Sequence, residues 1–215
     1  MHGRMNGYLL AIALAALVIA LPAKAELTAG RDYEPIVPAQ VSDNPARIEV
    51  LEFFSYGCPH CSDFHPTISK WAESLPSDVV FKRVPISFAR PQWASLAKLY
   101  YALQATGELG KLDAAVFRAL HQDGKKLYDD KAIIAWVSAQ GVDSKKFTAA
   151  YNSFGVISQA KRGDQLAQAY KIKGVPALAV DGKYLVTGKD IKGFPELLAL
   201  TDQVIDKARG EQRKK

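Results

Sequence analysis

Cysteine is nearly absent from this chain of 215 residues: there are two, and they stand together as Cys58-Pro59-His60-Cys61. That excludes a fold stapled by bridges between distant segments, the usual structural use of cysteine in exported domains. A bridge closing a loop of four residues stabilises a fold by at most about 2 kcal/mol on the loop-entropy argument, before strain is subtracted. Long apolar runs are lacking too. The stretch Leu9 to Leu21 spans 13 residues, short of the roughly 20 that a helix needs to cross a bilayer. No charge of one sign dominates. The formal charge is +6, and setting aside Arg4 and Lys24 of the first 25 residues leaves +4. The one basic cluster, Lys207 to Lys215, reads as a solvated chain end. No segment interleaves basic and aromatic side chains, so nucleic acid is not an expected partner. There is no internal repeat and no low-complexity segment.

What is present begins with an export signal over residues 1–25. Arg4 supplies the positive start, Leu9 to Leu21 the apolar stretch, and Ala23-Lys24-Ala25 a small-x-small cleavage site. No cysteine follows that site, so no lipid anchor is suggested, and a soluble mature chain is expected from Glu26. Its length suits one domain with an insertion, or two small ones.

Ile48 to Phe54 is short, rich in β-formers and closed by Ser55-Tyr56-Gly57, the pattern of a buried strand. Cys58 to about Leu75 reads as a helix that Pro66 should kink, and Val79 to Ile86 as a second strand. This order predicts a parallel βαβ unit. From Pro91 to about Tyr170 the apolar period is helical. Trp93, Leu96, Ala97, Tyr100 and Leu103 share one face; Leu109, Leu112, Val116, Phe117 and Leu120 share another. Three more stripes follow, one capped by Asp129 or Asp130, and the five amount to a helical subdomain whose stripes are core. Ala177 to Val180, the hairpin pair Asp181-Gly182, and Tyr184 to Thr187 restore strand character. An amphipathic helix from Phe194 closes the chain. The fold class expected is α/β, βαβ…ββα with an inserted all-α helical subdomain.

Cys58 falls where strand meets helix, beside unpaired backbone N–H groups that favour an anion. A thiolate is the nucleophile of disulfide exchange. His60, inside the dipeptide, can add a positive or hydrogen-bonding group. Cys61, one turn on, should face inward. Cys58 is then the exposed, attacking sulfur and Cys61 the resolving one. A stabilised thiolate also favours the reduced form, which makes the disulfide an oxidant. Three other uses of the pair compete with this. A c-type haem needs His directly after the second cysteine, where Ser62 stands. Zinc needs about four ligands; Cys58, Cys61 and His65 have suitable spacing, and the fourth would be His60 or His121. An inert bridge is the third. Otherwise His65 and His121 read as exposed or capped helix residues rather than catalysts.

Two further features stand out. Val175-Pro176 lies immediately before a strand, where proline cannot donate to the ladder; an ordinary trans turn would also account for it. Glu52 interrupts the apolar strand six residues before Cys58. If buried, its pKa should rise. Arg83 or Lys82 could pair with it, and alternation lets only one share its face. An outward-facing strand glutamate is the alternative.

Together, these residues make the sequence resemble the thioredoxin superfamily and, within it, the DsbA family of periplasmic disulfide oxidases. The matching segments are Glu52-Phe53-Phe54-Ser55 leading into Cys58-Pro59-His60-Cys61, then Val175-Pro176-Ala177 and Asp181-Gly182-Lys183-Tyr184. The helical block also lies where that family inserts its helical domain. The match covers essentially the whole mature chain and departs at Tyr56-Gly57, where bulkier aromatics are common. The resemblance implies a thioredoxin-fold domain over 26–90 and 171–215, with a helical domain over 91–170. It implies a cis Pro176 facing the cysteines, with Val175 offering backbone groups to an extended substrate. It also implies a buried Glu52 relaying a proton to or from Cys61. A depressed nucleophile pKa and an oxidising potential are established properties of that family, so both come with the resemblance. The expected activity is periplasmic donation of the Cys58–Cys61 disulfide to unfolded exported proteins with cysteines, with reoxidation by a DsbB-type membrane quinone reductase. The catalytic set is Cys58, Cys61, His60, Pro59 and Glu52; Val175 and Pro176 bind substrate. No metal or organic cofactor is expected beyond the redox-active disulfide, and a monomer is favoured. A reductase or isomerase, a peptide-binding chaperone, and a glutathione-using thioredoxin-fold isomerase are the alternatives.

Overall fold

The computed structural model describes residues 26–42, 44–188 and 190–213. The expected signal segment 1–25 lies outside them. Strand β2 (Ile48–Phe54) is buried along its whole length, as a near-continuous apolar run requires. It is followed by helix α1 (Pro59–Glu73) and strand β3 (Val79–Pro85), and β2 pairs with β3 in parallel. The βαβ unit is therefore present. Strands β4 (Ala177–Val180) and β5 (Tyr184–Val186) pair antiparallel, and β4 lies antiparallel on the other side of β2. A three-residue strand β1 (Tyr33–Pro35) pairs antiparallel with β5 at the sheet edge, giving the order β1-β5-β4-β2-β3. Sequence reading missed β1. Two of its three residues are exposed, so it has no alternation to read and owes its conformation to β5.

Alternation along β2 sorts its side chains between two layers. Ile48 and Val50 pack with Phe64 and Ile68 of α1 and with Val204 and Ile205 of the closing helix α7 (Phe194–Gln212). Leu51 and Phe53 face Val84, Ala167 and Tyr170 on the opposite side. Glu52 shares the α1 side, and its register partner on β3 is Arg83.

Between β3 and β4 run five helices: α2 (Pro91–Thr106), α3 (Leu109–His121), α4 (Asp130–Ala139), α5 (Ser144–Tyr151) and α6 (Phe154–Ala169). Of the two candidate caps for α4, Asp129 is the one used, accepting from the Ala132 N–H at 2.8 Å. Asp143 and Ser153 cap α5 and α6 in the same way. The predicted stripes point inward: Leu96, Leu103, Val116, Ile133 and Phe147 are buried in one cluster, which continues through Phe54 and Tyr56 to Cys58 and Cys61. The cysteines thus lie where the helical block's core meets the sheet.

The β4–β5 turn has Asp181 and Gly182 both left-handed, at φ 53° and 64°, and the Lys183 N–H donates to the Val180 carbonyl at 3.0 Å. The register pairs Val180 with Tyr184, so the connection is three residues rather than the expected two. A Cβ on Gly182 would lie 2.0 Å from the Gln40 carbonyl oxygen, so this glycine is needed for space as well as for φ. Gly182→Val should destabilise the fold by about 2–4 kcal/mol, combining strained backbone with overpacking. Urea unfolding measures this; an unchanged midpoint would mean that the turn and residues 36–42 shift without cost.

Candidate active site

Ser55-Tyr56-Gly57 carries the chain from β2 into α1. Cys58 sits at the N-cap with extended backbone, and Pro59 occupies the first helical turn, where a missing N–H costs nothing. No side chain caps this helix. The backbone N–H groups of His60 and Cys61 instead face the Cys58 sulfur. In the reduced protein described here, the Cys58 thiol donates to the Val175 carbonyl at 3.4 Å.

The two sulfurs are driven in opposite directions. The Cys61 thiol hydrogen-bonds the Cys58 sulfur, and with the His60 and Cys61 N–H groups and the nearby His60 ring it outweighs burial, lowering the Cys58 pKa to about 6. Cys61 is pushed up: its proton is engaged by Cys58, burial disfavours its charge, and Glu52 adds repulsion. Cys58 is not the exposed sulfur the sequence led us to expect. It is 6% exposed and Cys61 not at all; both belong to the core cluster of the helical block, against which Val175 packs. Only Cys58 keeps any opening to solvent.

Beneath the thiols lies a buried charge cluster. Glu52 is fully buried and accepts from Arg83 Nε at 2.6 Å. Lys82, on the other face of β3, pairs instead with Glu49 at 2.6 Å. Arg83 Nη1 reaches Asp113 of α3 at 2.5 Å, and the guanidinium lies 3.9 Å over the Phe54 ring. Asp113 also accepts from the Tyr56 hydroxyl and faces His65 Nε2 at 2.8 Å. Burial acts to raise the Asp113 pKa, but His65, Arg83 and Tyr56 outweigh it and hold the carboxyl low. Burial raises the Glu52 pKa and its single arginine contact only partly opposes this. His65 is thus not an exposed helix residue, a correction to that part of the sequence reading: it is 8% exposed and bound to Asp113. His121, half-buried at the end of α3, meets the Tyr56 carbonyl through its Nε2 at 2.7 Å.

Val175-Pro176 is a cis peptide, as is Val37-Pro38. With exposed His60, it lines a groove of about 400 Å³ bordered by Leu178, Ile191, Phe194 and Leu197. A larger cavity of about 590 Å³ lies between β3, α2 and α6 and includes no residue of α1; the smaller one, although lined by neither sulfur, is the candidate substrate groove because His60, Val175 and Pro176 border it. Next to Cys58, a Cβ on Gly57 would lie 2.5 Å from Trp93 Nε1. The missing bulk at Tyr56-Gly57 is thus replaced by an indole from α2, which Arg90 covers at 4.6 Å. Among the described residues no group of three or more His, Cys, Asp and Glu is placed to hold a metal ion, and no helix is long and apolar enough to cross a membrane.

The structure therefore brings together Glu52, Cys58, Pro59, His60, Cys61, Val175 and Pro176. Sequence reading missed Tyr56, Trp93 and Asp113 as parts of the site. Asp113 did leave a signal: it falls between Leu109 and Phe117 at helical spacing, a carboxylate on an apolar stripe.

The model of the family described as "DSBA-like thioredoxin domain" matches residues 49–199. The "Thiol:disulfide interchange protein DsbA" of Bordetella parapertussis is 45% identical over 161 residues, 75% of this chain and 76% of that protein. The protein of the same name from Pseudomonas aeruginosa is 37% identical over 189 residues, 88% of this chain and 89% of its own. The crystal structure of Pseudomonas aeruginosa DsbA superposes with a TM-score of 0.82 at 37% identity, covering 87% of this chain and 97% of that one. The oxidoreductase NmDsbA1 from Neisseria meningitidis gives 0.78 at 29% identity, covering 88% and 98%.

The Cys58 environment has a pH signature. A depressed thiol pKa stabilises the reduced fold fully above the unfolded value of about 8.5. That stabilisation should fall as the pH drops towards the folded value near 6 and be gone below it. Urea unfolding of reduced wild type against Cys58→Ser, across that window, isolates the contribution. A difference that does not vary with pH would show that the thiolate is not stabilised.

Proposed function

The chain belongs to the DSBA-like thioredoxin family and is a thiol:disulfide oxidoreductase with a thioredoxin fold and an inserted helical subdomain, and from that premise we propose that it donates the Cys58–Cys61 disulfide to newly exported proteins in the periplasm. A substrate thiolate attacks Cys58 Sγ. The Cys58–Cys61 bond breaks, its electron pair passes to Cys61, and Cys61 takes up a proton. The substrate is then held through a mixed disulfide to Cys58. A second substrate thiolate attacks the substrate sulfur of that bond, and Cys58 leaves as thiolate. The substrate gains a disulfide, and this protein gains two electrons.

The observation that carries this reading is the position of the Cys58 sulfur, at the uncapped start of α1 and on the Val175 carbonyl. A thiolate formed there has N–H donors behind it, which makes it a good leaving group and the disulfide an oxidising one. In the disulfide form that substrate meets, Cys58 carries no proton to donate to Val175, and that carbonyl is free to accept an N–H from an extended substrate chain, a one-residue β-pairing. Pro176 leaves the strand edge without a competing donor, and Pro59 and His60 form the exposed lip of the helix start. Glu52 acts as the proton partner of Cys61. The thioredoxin-fold domain comprises 26–90 and 171–215, and the helical domain 91–170. Residues 1–25 direct export, a DsbB-type membrane quinone reductase restores the disulfide, and the protein works as a monomer with no metal or organic cofactor.

The deciding measurement is the reduction potential of the Cys58–Cys61 pair against a glutathione buffer. A value above that of glutathione is expected; one near that of thioredoxin would make the protein a reductase. In the same assay Cys61→Ser should accumulate a mixed disulfide with a reduced unfolded substrate, and Cys58→Ser should abolish exchange. Holding of unfolded chains that survives Cys58→Ser with no exchange in the wild type would make it a chaperone.

A further inference from the structure

Glu52 is surrounded by more charge than thiol exchange by itself requires. It is faced by Arg83 from β3, by Cys61 and His65 from α1, by Tyr100 from α2 and by Asp113 from α3, with Tyr56 held against Asp113. Two carboxylates, Glu52 fully buried and Asp113 partly so, therefore share one guanidinium. The sharing is unequal. Asp113 has three partners: Arg83 Nη1 at 2.5 Å, His65 Nε2 at 2.8 Å and the Tyr56 hydroxyl. Among the described residues Glu52 has one hydrogen-bond partner, Arg83 Nε, while its Oε1 and the Arg83 Nη2 are both buried without one.

We propose that Asp113, supplied by the helical subdomain, is a positioning residue for the redox reaction: it holds Arg83 between two carboxylates and so keeps Glu52 able to exchange a proton with Cys61. A carboxylate gripped by both arms of an arginine stays ionised and has no proton to give. A buried carboxyl with no arginine stays protonated and does not take one up. The divided guanidinium places Glu52 between these limits. When the disulfide is attacked, the proton of the Glu52 carboxyl passes to the Cys61 thiolate, and the carboxylate left behind remains paired with Arg83. On reoxidation the proton returns. This inference rests on the reading of Glu52 as the proton partner of Cys61.

Asp113→Asn tests it. Removing the charge takes away repulsion that favours the neutral Glu52 carboxyl and frees Arg83 Nη1, so both effects act in the same direction. The readout is the infrared carbonyl band of the protonated Glu52 side chain in the oxidised protein, the form in which Glu52 holds the proton, identified by its loss in Glu52→Gln and followed against pH. In Asp113→Asn the midpoint should fall by about one pH unit, a tenfold loss of proton affinity, and Asp113→Glu should return it towards wild type. Tyr56→Phe loosens the same core without removing the charge, and there the midpoint should not fall. A folded Asp113→Asn protein with an unmoved or raised midpoint overturns the proposal, as does an equal fall in Tyr56→Phe. If Asp113→Asn does not fold, wild type decides: Glu52 must titrate above the ordinary carboxylate range, and absence of its acid band there overturns the proposal. Donation to a reduced peptide is scored separately, so a wild type that transfers no disulfide fails the oxidase reading and not this one.

Discussion

The arrangement of this protein turns on one buried cation. Arg83 is 10% exposed on its side chain, and an ion taken out of water costs several kcal/mol unless partners replace its hydration. Those partners come from different elements. Glu52 stands opposite it in the β2–β3 register, Asp113 arrives from α3, and the Phe54 ring covers its face. A one-residue slip of β2 against β3 would send Glu52 to the other side of the sheet and leave the cation and Asp113 mismatched. The pair therefore constrains sheet register and the seating of the helical subdomain together.

What rests on that seating is the asymmetry between two sulfurs one helical turn apart. Cys58 lies outside the first turn of α1, where N–H groups converge. Cys61 lies inside it, over Glu52 and away from solvent. The same short motif thus holds one thiol that gives up its proton readily and one that keeps it. The proposed direction of exchange rests on that difference: an incoming thiolate would meet the sulfur that leaves easily, while the buried one would receive the proton.

The helical subdomain is part of this chemistry. Its core is continuous with the cysteines, its Asp113 completes the charge cluster, and Trp93 fills the space that Gly57 leaves beside Cys58. His121 and Asp113, both from α3, hold the carbonyl and hydroxyl of Tyr56. The turn that presents Cys58 is therefore fixed by residues more than fifty positions away along the chain.

Much of this was legible without coordinates. The strand pattern of Ile48–Phe54, the helical stripes from Trp93 onwards, the Asp181-Gly182 hairpin and the Cys58–Cys61 spacing each arise from local periodicity or turn chemistry, so the fold class and the reactive pair could be read directly. Glu52 was conspicuous because a charge interrupts an apolar strand. Edge strand β1 was not legible, since its conformation comes from β5. Nor were the roles of Tyr56, His65, Trp93, Asp113 and His121, whose partners are remote in sequence. Sequence alone singled out the Cys58–Cys61 pair and determined the order of elements that carries it. Only tertiary structure decided that Arg83 rather than Lys82 meets Glu52, that Asp113 shares that arginine, and that both sulfurs are enclosed, because a buried charge takes its state from whichever groups the packing brings to it.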